Sequence, residues 1–271
     1  MSDLLVFTDL DGTLLDHDDY SYAAAQPQLQ RLADLAVPLI FNSSKTAAEI
    51  EGLRRQMGNL HPFIVENGSA VYIPATYFDR DGKGEVLTFG ADYDEIVDLA
   101  RSLRKADGFR FRGFADMSAE EVAAATGLEK AQAALAKKRR ASEPLLWEDA
   151  PERLKIFERE IDRLGLGLLK GGRFYHLMAR RVDKGRAMLE LLDRYRRFKP
   201  SRSWRTAALG DGGNDRAMLE AADIAVVIPP KNGVPLRLKH SGWTIFAHQP
   251  GPAGWAEAIS TILDSEPQQG D

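Results

Sequence analysis

Two aspartates stand two residues apart, directly after an apolar run near the start of the chain. Asp9 and Asp11 follow residues 4–7, whose sequence LLVF is typical of a buried strand. In an extended segment, side chains at i and i+2 point the same way, so the two carboxylates would share one crevice. Their repulsion is relieved by a divalent cation or by a proton on one of them. A strand that ends in an ordinary Asp-Gly turn explains residues 9–13 equally well.

A second polar segment follows the next apolar run. Residues 37–41 predict another strand, which ends at Ser43, Ser44 and Lys45 before a helical pattern. Hydroxyl groups and a lysine at a strand end and helix start suit an oxyanion, because free backbone N–H groups gather there. The alternative is simple capping of the helix by Ser44 or Thr46.

Two more charged segments occur in the last third of the chain. Lys184 follows a predicted N-cap aspartate, in a first helical turn where the helix dipole disfavours a cation. It therefore needs a phosphate or a buried carboxylate as a partner, unless it is an ordinary surface lysine. The strand 206–209 ends in a glycine-rich turn, and Asp211, Asn214 and Asp215 there offer oxygen ligands to a hard cation.

The elements around these residues alternate between strands and helices. Residues 4–41 and 206–263 carry strand–helix–strand patterns, which predict a doubly wound, Rossmann-like α/β core with a parallel sheet. Between them the pattern changes to short strands and helices, which predicts an inserted α+β cap. We therefore expect a core of residues 1–82 and 183–271 and a cap of residues 83–182. Ligands of such cores bind where strands end, and the charged segments above fall at those ends.

The predicted cap contains two non-helical polar segments. Arg140 lies in the first and Arg173 in the second, and both are candidates for contact with an anionic substrate, although solvated loop charges explain them as well. The sequence Glu66-Asn67-Gly68, which follows a third short strand, predicts a tight turn and nothing more.

The composition excludes several classes of function. A net charge of −4 over 271 residues gives no reason to expect nucleic-acid binding, which needs a concentrated basic face. With no cysteine, disulfides and thiolate metal sites are excluded, so oxygen or imidazole ligands must hold any metal. The sequence shows neither a signal peptide nor a membrane-spanning run, so we expect a cytoplasmic protein. The oligomeric state cannot be predicted from the sequence.

Four motifs in this order resemble the haloacid dehalogenase superfamily of phosphatases. Its D-x-D-G-T, Ser, Lys and G-D-G-x-N-D signatures stand at residues 9–13, Ser43, Lys184 and 210–215. The large insert between the Ser and Lys motifs resembles the large-cap subclass, which includes sugar phosphatases. The second motif departs from the usual Thr-Gly-Arg. That departure, with the segments ENG and RASEP, is similar to mannosyl-3-phosphoglycerate phosphatases.

The resemblance implies a phosphomonoester hydrolase that works through an aspartyl-phosphate intermediate. Asp9 would be the nucleophile, and Asp11 would protonate the leaving oxygen and then deprotonate the attacking water. Ser43 and Lys184 would hold the phosphate oxygens during the transfer.

The resemblance also implies Mg²⁺ as the cofactor. Asp9, Asp11 and Asp211 would hold the cation, with Asp11 contributing its backbone carbonyl. Asn214 would lie beside this site, and Asp215 would position Lys184 or a metal-bound water.

The implied substrate is a small phosphorylated sugar, a glycosyl-3-phosphoglycerate, which would yield glycosylglycerate and phosphate. Its carboxylate needs cationic or N–H donors beyond the phosphate pocket, and its sugar hydroxyls need polar partners. The candidate substrate-binding residues are Ser44, Lys45, Arg140, Ser142, Glu143 and Arg173. A general sugar-phosphate phosphatase of the sucrose- or trehalose-phosphate type and a phosphosugar mutase are alternatives. A non-catalytic binding module is disfavoured, because both aspartates and the lysine are present.

Overall fold

The computed structural model describes residues 2–79, 81–171 and 173–265, and the predicted domain ranges extend beyond these residues only at 1, 80, 172 and 266–271. The strands of the described residues are β1 (Ser2–Thr8), β2 (Leu39–Asn42), β3 (Phe63–Val65), β4 (Ala70–Ile73), β5 (Glu85–Thr88), β6 (Phe111–Gly113), β7 (Ser142–Trp147), β8 (Leu166–Gly171), β9 (Phe174–Ala179), β10 (Ser203–Gly210), β11 (Ile224–Val227) and β12 (Trp243–Phe246). Their α-helices are α1 (Gln26–Asp34), α2 (Ala47–Met57), α3 (Tyr93–Asp107), α4 (Ala119–Thr126), α5 (Lys130–Ala136), α6 (Pro151–Arg163), α7 (Lys184–Phe198), α8 (Arg216–Ala221) and α9 (Gly251–Ser265). Across these ranges, every helix is too short or too polar to cross a membrane.

The larger sheet has eight strands in the order β12-β11-β10-β1-β2-β3-β4-β5. The six strands from β12 to β3 run parallel, and β4 and β5 complete the sheet in antiparallel pairing. In the central strand β1, Leu4 and Val6 face a core formed with α1, α2 and α9, while Leu5 and Phe7 face a core formed with α7 and α8. Helices therefore cover both faces, as the prediction of a doubly wound α/β core requires.

The smaller sheet has four antiparallel strands in the order β6-β7-β9-β8. Helices α3 and α6 pack on one of its faces. The sheet and its helices lie in the chain between Gly90 and Ala179. These two residues are in close contact, since a Cβ added to Gly90 would lie only 2.2 Å from the Cβ of Ala179. We call this unit the insert, and it corresponds to the predicted cap. Strand β5 falls within the predicted cap range but pairs with β4 in the larger sheet. We therefore propose that the insert begins near Gly90 rather than at residue 83.

Strand β7 includes part of the first non-helical polar segment. The sequence predicts only that residues 139–144 are not helical, and Ser142 to Pro144 form the first half of β7 in the middle of the smaller sheet. A proline fits there because β6 pairs with β7 only from Leu145 onward, so the missing N–H of Pro144 interrupts no pairing with β6.

Candidate active site

Three adjacent strands of the larger sheet carry the predicted catalytic residues at their ends. Thr8, the last residue of β1, pairs with Leu209 of β10 on one side and with Phe41 of β2 on the other. Asp9, Ser43 and Asp211 follow these positions and leave the sheet at the same edge. Ligand sites of doubly wound sheets lie at this edge.

Lys184 is fully buried at the first position of α7. Its Nζ lies 2.5 Å from Asp9 Oδ1 and 2.6 Å from Asp215 Oδ1, which provides the partner that the helix dipole requires. Burial lowers the pKa of Lys184, but Asp215 and Asp9 raise the pKa by more, so the net shift is upward. The ammonium group therefore stays charged between two carboxylates.

Asp9 is almost completely buried, with 5% of its surface exposed. Burial raises the pKa of Asp9 well above its ordinary value, against the opposing effect of Lys184 and with further upward contributions from Asp215 and Asp211. The local negative charge thus exceeds what one lysine neutralises. An additional positive charge would favour the ionised form of Asp9.

Three carboxylates at this edge could hold a metal ion. One oxygen each from Asp9, Asp211 and Asp215 lies within 4.8 Å of the others. Burial and the charge of Asp215 raise the pKa of Asp211 to about 6. Asp215 Oδ1 accepts from Lys184, and its Oδ2 accepts from the backbone N–H groups of Asp211 and Gly212 at 3.1 and 2.9 Å. Among the described residues, Asp9 Oδ2 and the carboxylate oxygens of Asp211 accept no hydrogen bond, and this all-oxygen donor set fits a hard divalent cation.

Gly12 lies against the same carboxylates. Its φ of +78° is in the left-handed region, and a Cβ there would lie 2.7 Å from Asp211 Oδ2. The turn after β1 therefore needs glycine to bring its backbone beside Asp211.

Asp11 has a different partner from the one that an extended segment predicts. Strand β1 ends at Thr8, and the chain then turns, so Asp9 and Asp11 do not lie in an extended segment. Its Oδ1 lies 2.9 Å from Lys45 Nζ, which also lies 5.0 Å from the centroid of the Tyr20 ring. Burial lowers the pKa of Lys45, but the charges of Asp11 and Glu49 raise the pKa by more, so the net shift is upward.

Ser43 is fully buried in the loop between β2 and α2. Its N–H donates to Ile64 O at 3.1 Å, and its carbonyl accepts from Asn67 N at 2.9 Å. Thr46, rather than Ser44, is the N-cap of α2, where it forms a capping box with Glu49. The alternative of simple capping therefore accounts for Thr46, while Ser43 Oγ accepts from Lys45 N at 3.2 Å.

These observations agree with a match to a known family. The family model described as haloacid dehalogenase-like hydrolase matches residues 6–245. The chain belongs to this family. The resemblance predicted from the four motifs is therefore confirmed, as is the prediction that the protein is an enzyme.

Two relatives of this hydrolase are similar over nearly the whole chain. The glucosyl-3-phosphoglycerate/mannosyl-3-phosphoglycerate phosphatase of Persephonella marina is 38% identical over 96% of this chain and 97% of its own. The protein of the same name from Methanococcoides burtonii is 40% identical, with the same coverage of both chains. A crystal structure of a Thermotoga maritima protein, 19% identical, matches with a TM-score of 0.66 over 99% of each chain. This last likeness supports the fold alone.

Of the four predicted substrate-binding residues in the insert of the hydrolase, two are buried and two are exposed. Ser142 and Glu143 are buried and bonded within the chain. Ser142 Oγ donates to Glu66 Oε2 at 2.8 Å, and Glu143 Oε2 accepts from the Tyr93 hydroxyl at 2.7 Å. Burial raises the pKa of Glu143. Neither side chain has its polar atoms free for a sugar in this arrangement.

The two predicted arginines are exposed. Arg173 Nη2 donates to Thr126 O at 3.0 Å within the insert. The guanidinium of Arg140 has no hydrogen bond or ion pair to the described residues. Their binding of a substrate carboxylate stays a prediction.

Sequence reasoning missed Arg139 and Glu66 of this hydrolase. Arg139 is buried, and its guanidinium donates to the carbonyl of Ser44 at 3.1 Å and to Ser142 Oγ at 2.9 Å. Glu66, 1% exposed, receives hydrogen bonds from the insert. Arg139 stands in the basic run 137–140, and basic residues are favoured at a helix C-terminus by the helix dipole, so residue type gave no signal. The segment ENG offered one through the family resemblance.

Proposed function

We propose that this hydrolase is a Mg²⁺-dependent phosphatase of glycosyl-3-phosphoglycerates that acts through an aspartyl-phosphate intermediate. The observation that carries the reaction type is the placement of Lys184 Nζ, 2.5 Å from Asp9 Oδ1, beside the carboxylate of Asp211. A buried carboxylate beside a cation and a metal-binding group is equipped to approach an anionic phosphate. The names of the two relatives support the substrate class.

Asp9 is the nucleophile of the proposed reaction. Its carboxylate oxygen forms a bond to phosphorus while the ester P–O bond breaks, and Asp11 gives a proton to the leaving oxygen. Asp11 then takes a proton from water, which attacks phosphorus and breaks the bond to Asp9. The products are an alcohol and inorganic phosphate. Ser43 and Lys184 hold the phosphate oxygens throughout.

Asp9, Asp211 and the backbone carbonyl of Asp11 are the proposed metal ligands, with Asn214 beside them. When bound, Mg²⁺ offsets the repulsion between the nucleophile and the phosphate. Asp215 acts instead on Lys184, because both of its carboxylate oxygens are already hydrogen-bonded. Only oxygen donors are offered, which favours Mg²⁺ over softer metals.

The ion pair of Asp11 and Lys45 supports a substrate with a second anionic group. Asp11 Oδ1 lies 2.9 Å from Lys45 Nζ, which shows that an anionic oxygen is accommodated beside this lysine. A substrate carboxylate is a competing partner for Lys45. We propose that the glycerate carboxylate takes this place, with Ser44 beside it, and that Arg140 and Arg173 contact the substrate from the insert.

The test is phosphate release from a panel that contains mannosyl- and glucosyl-3-phosphoglycerate, mannose 6-phosphate, sucrose 6-phosphate and p-nitrophenyl phosphate. We expect a far higher kcat/KM for the two glycosyl phosphoglycerates than for the other compounds. Lys45→Ala should remove much of this preference, and Lys83→Ala, which changes a surface lysine, should not.

Equal efficiency across the sugar phosphates would contradict the proposed substrate and leave a general sugar phosphatase. Isomerisation of a sugar phosphate without phosphate release would indicate a mutase, and binding without turnover would indicate a non-catalytic module. A cytoplasmic location stays a prediction.

A further inference from the structure

The carboxylate of Glu66 is the main polar contact between the core and the insert at this edge. Its Oε1 accepts from Arg140 N at 2.8 Å, and its Oε2 accepts from Ala141 N at 3.1 Å and from Ser142 Oγ at 2.8 Å. Arg139 Nε lies 3.7 Å from Oε2. A buried carboxylate needs such donors, and the insert supplies all four.

The backbone of the same turn holds the catalytic loop of Ser43. Glu66 N donates to Lys45 O at 3.0 Å, and Asn67 N donates to Ser43 O at 2.9 Å. The side chain of Asn67 reaches the metal-site loop, where its Oδ1 accepts from Asn214 Nδ2 at 3.2 Å. This turn therefore contacts the insert through the side chain of Glu66. Through Asn67, the same turn contacts both the Ser43 loop and the loop that carries Asn214.

The conformation of this turn is held by its surroundings. Glu66, Asn67 and Gly68 have φ values of +51°, +58° and +98°, in the left-handed region that side chains other than glycine rarely adopt. Gly68 packs on the start of α7, because a Cβ there would lie 2.2 Å from the carbonyl oxygen of Asp183. A non-glycine residue keeps such a backbone only when its contacts fix it, so loss of the Glu66 contacts should relax the turn.

We propose that Glu66 is a positioning residue that couples the seating of the insert on the core to the placement of Ser43. This inference rests on the proposed phosphatase function. When the insert seats, its N–H groups and Ser142 bind the Glu66 carboxylate and fix the turn. The N–H of Asn67 then holds the Ser43 loop in the arrangement that receives a phosphate.

The first experiment weakens the contacts between Glu66 and the insert, and it measures hydrogen exchange in the core without substrate. Ser142→Ala removes one donor to Glu66, and Glu66→Gln replaces one acceptor oxygen by an amide group. We expect hydrogen exchange at the amides of Glu66 and Asn67 to rise about fivefold in both variants, as loss of one hydrogen bond allows. Ser102→Ala, an exposed serine of α3, and Glu51→Gln, an exposed glutamate of α2, are the matched controls. Their exchange should equal that of the wild type.

The second experiment separates positioning from simple stability. We expect Glu66→Gln to lower kcat for glycosyl-3-phosphoglycerate about ten- to a hundredfold. The kcat for p-nitrophenyl phosphate should fall by a similar factor, because its phosphate is held by the same Ser43 loop, whereas Glu51→Gln should leave both values unchanged. If Glu66→Gln does not fold, Ser142→Ala carries both measurements.

Two results would overturn the proposal. One is faster exchange confined to residues 140–142, with Glu66 and Asn67 unchanged, which would mean that the contact is only local. The other is a Glu66→Gln variant that is folded and keeps the wild-type kcat on both substrates. A wild-type protein that hydrolyses neither compound would instead refute the proposed function, and the exchange measurement would still decide whether the two parts are coupled.

Discussion

Trp255 and Thr8 are hydrogen-bonded through Nε1 and Oγ1 at 3.0 Å, which connects the last helix to the strand that leads to Asp9. Thr8 Oγ1 in turn donates to the carbonyl of Asp9 at 2.7 Å, and Asp9 N donates to Leu209 O at 2.9 Å. The backbone of the proposed nucleophile is thus fixed from α9 and from β10, and Trp255 is fully buried.

Trp255→Phe should lower the free energy of unfolding by about 1–3 kcal/mol, because a buried hydrogen bond is lost and part of the indole volume becomes a cavity. We also expect a modest fall in kcat. Urea denaturation and phosphate release measure the two effects. Trp147→Phe, in the insert, is the control and should leave kcat unchanged. A Trp255→Phe variant as stable as the wild type would contradict this account.

Asp9→Asn should abolish turnover and covalent labelling by substrate phosphate, because an amide is a poor nucleophile. Asp11→Asn should slow turnover by ~10²–10⁴-fold through the loss of acid–base catalysis. Asp98→Asn, an exposed position on α3, is the control and should behave like the wild type. Full activity of Asp9→Asn would show that the nucleophile is a different group.

A chelator should abolish phosphate release, and added Mg²⁺ should restore it. Asp211→Asn should weaken Mg²⁺ binding by at least about tenfold. Replacement of a direct metal ligand should cost at least as much affinity as replacement of a residue that only orients a ligand. Calorimetric titration of Mg²⁺ measures binding independently of activity, and Asp98→Asn again serves as the control. Undiminished turnover in metal-free buffer would refute the metal assignment.

Acid should destabilise the protein through His176. Burial, followed by the positive charges of Arg139 and Lys184, lowers the pKa of His176 to about 3, whereas an unfolded chain has a value near 6.5. Between these values the unfolded state binds more protons. The free energy of unfolding should therefore fall as the pH drops below 6.5, by up to ~1.4 kcal/mol per pH unit.

His176→Phe should remove this part of the acid sensitivity. Within the described residues, Nδ1 of His176 has no hydrogen-bond partner, so an apolar ring should be nearly neutral at pH 7.5. His61, whose pKa burial lowers to about 4, should retain part of the slope. Urea denaturation at pH 7.5 and 5 tests this, with the exposed His17→Phe as the control. An unchanged slope in His176→Phe would assign the acid loss to other groups.

The positions of Asp9, Ser43, Lys184 and Asp211 at one edge were predictable, because parallel strands bring their carboxyl ends together whatever the connecting helices contain. The ion pair of Lys45 with Asp11 was not, since it depends on a turn that follows β1.

The role of Glu66 and the path of β7 were also beyond local patterns. The donors to Glu66 lie 74 to 76 residues away in the chain. The segment 139–144 has the polar residues and the proline of a loop, and only pairing with β9 makes part of it a strand. Tertiary contacts determined both, and a short stretch of sequence contains no record of them.

The contact of Gly90 with Ala179 has a consequence for how such a protein can diversify. Because the chain leaves the larger sheet and returns to it at one point, an exchange of everything between these residues would leave each pair of strands in that sheet intact. The proposed catalytic residues and the insert therefore occupy separable stretches of sequence. A different insert would leave the catalytic edge of the larger sheet unchanged, provided that the new insert again donated hydrogen bonds to the buried Glu66.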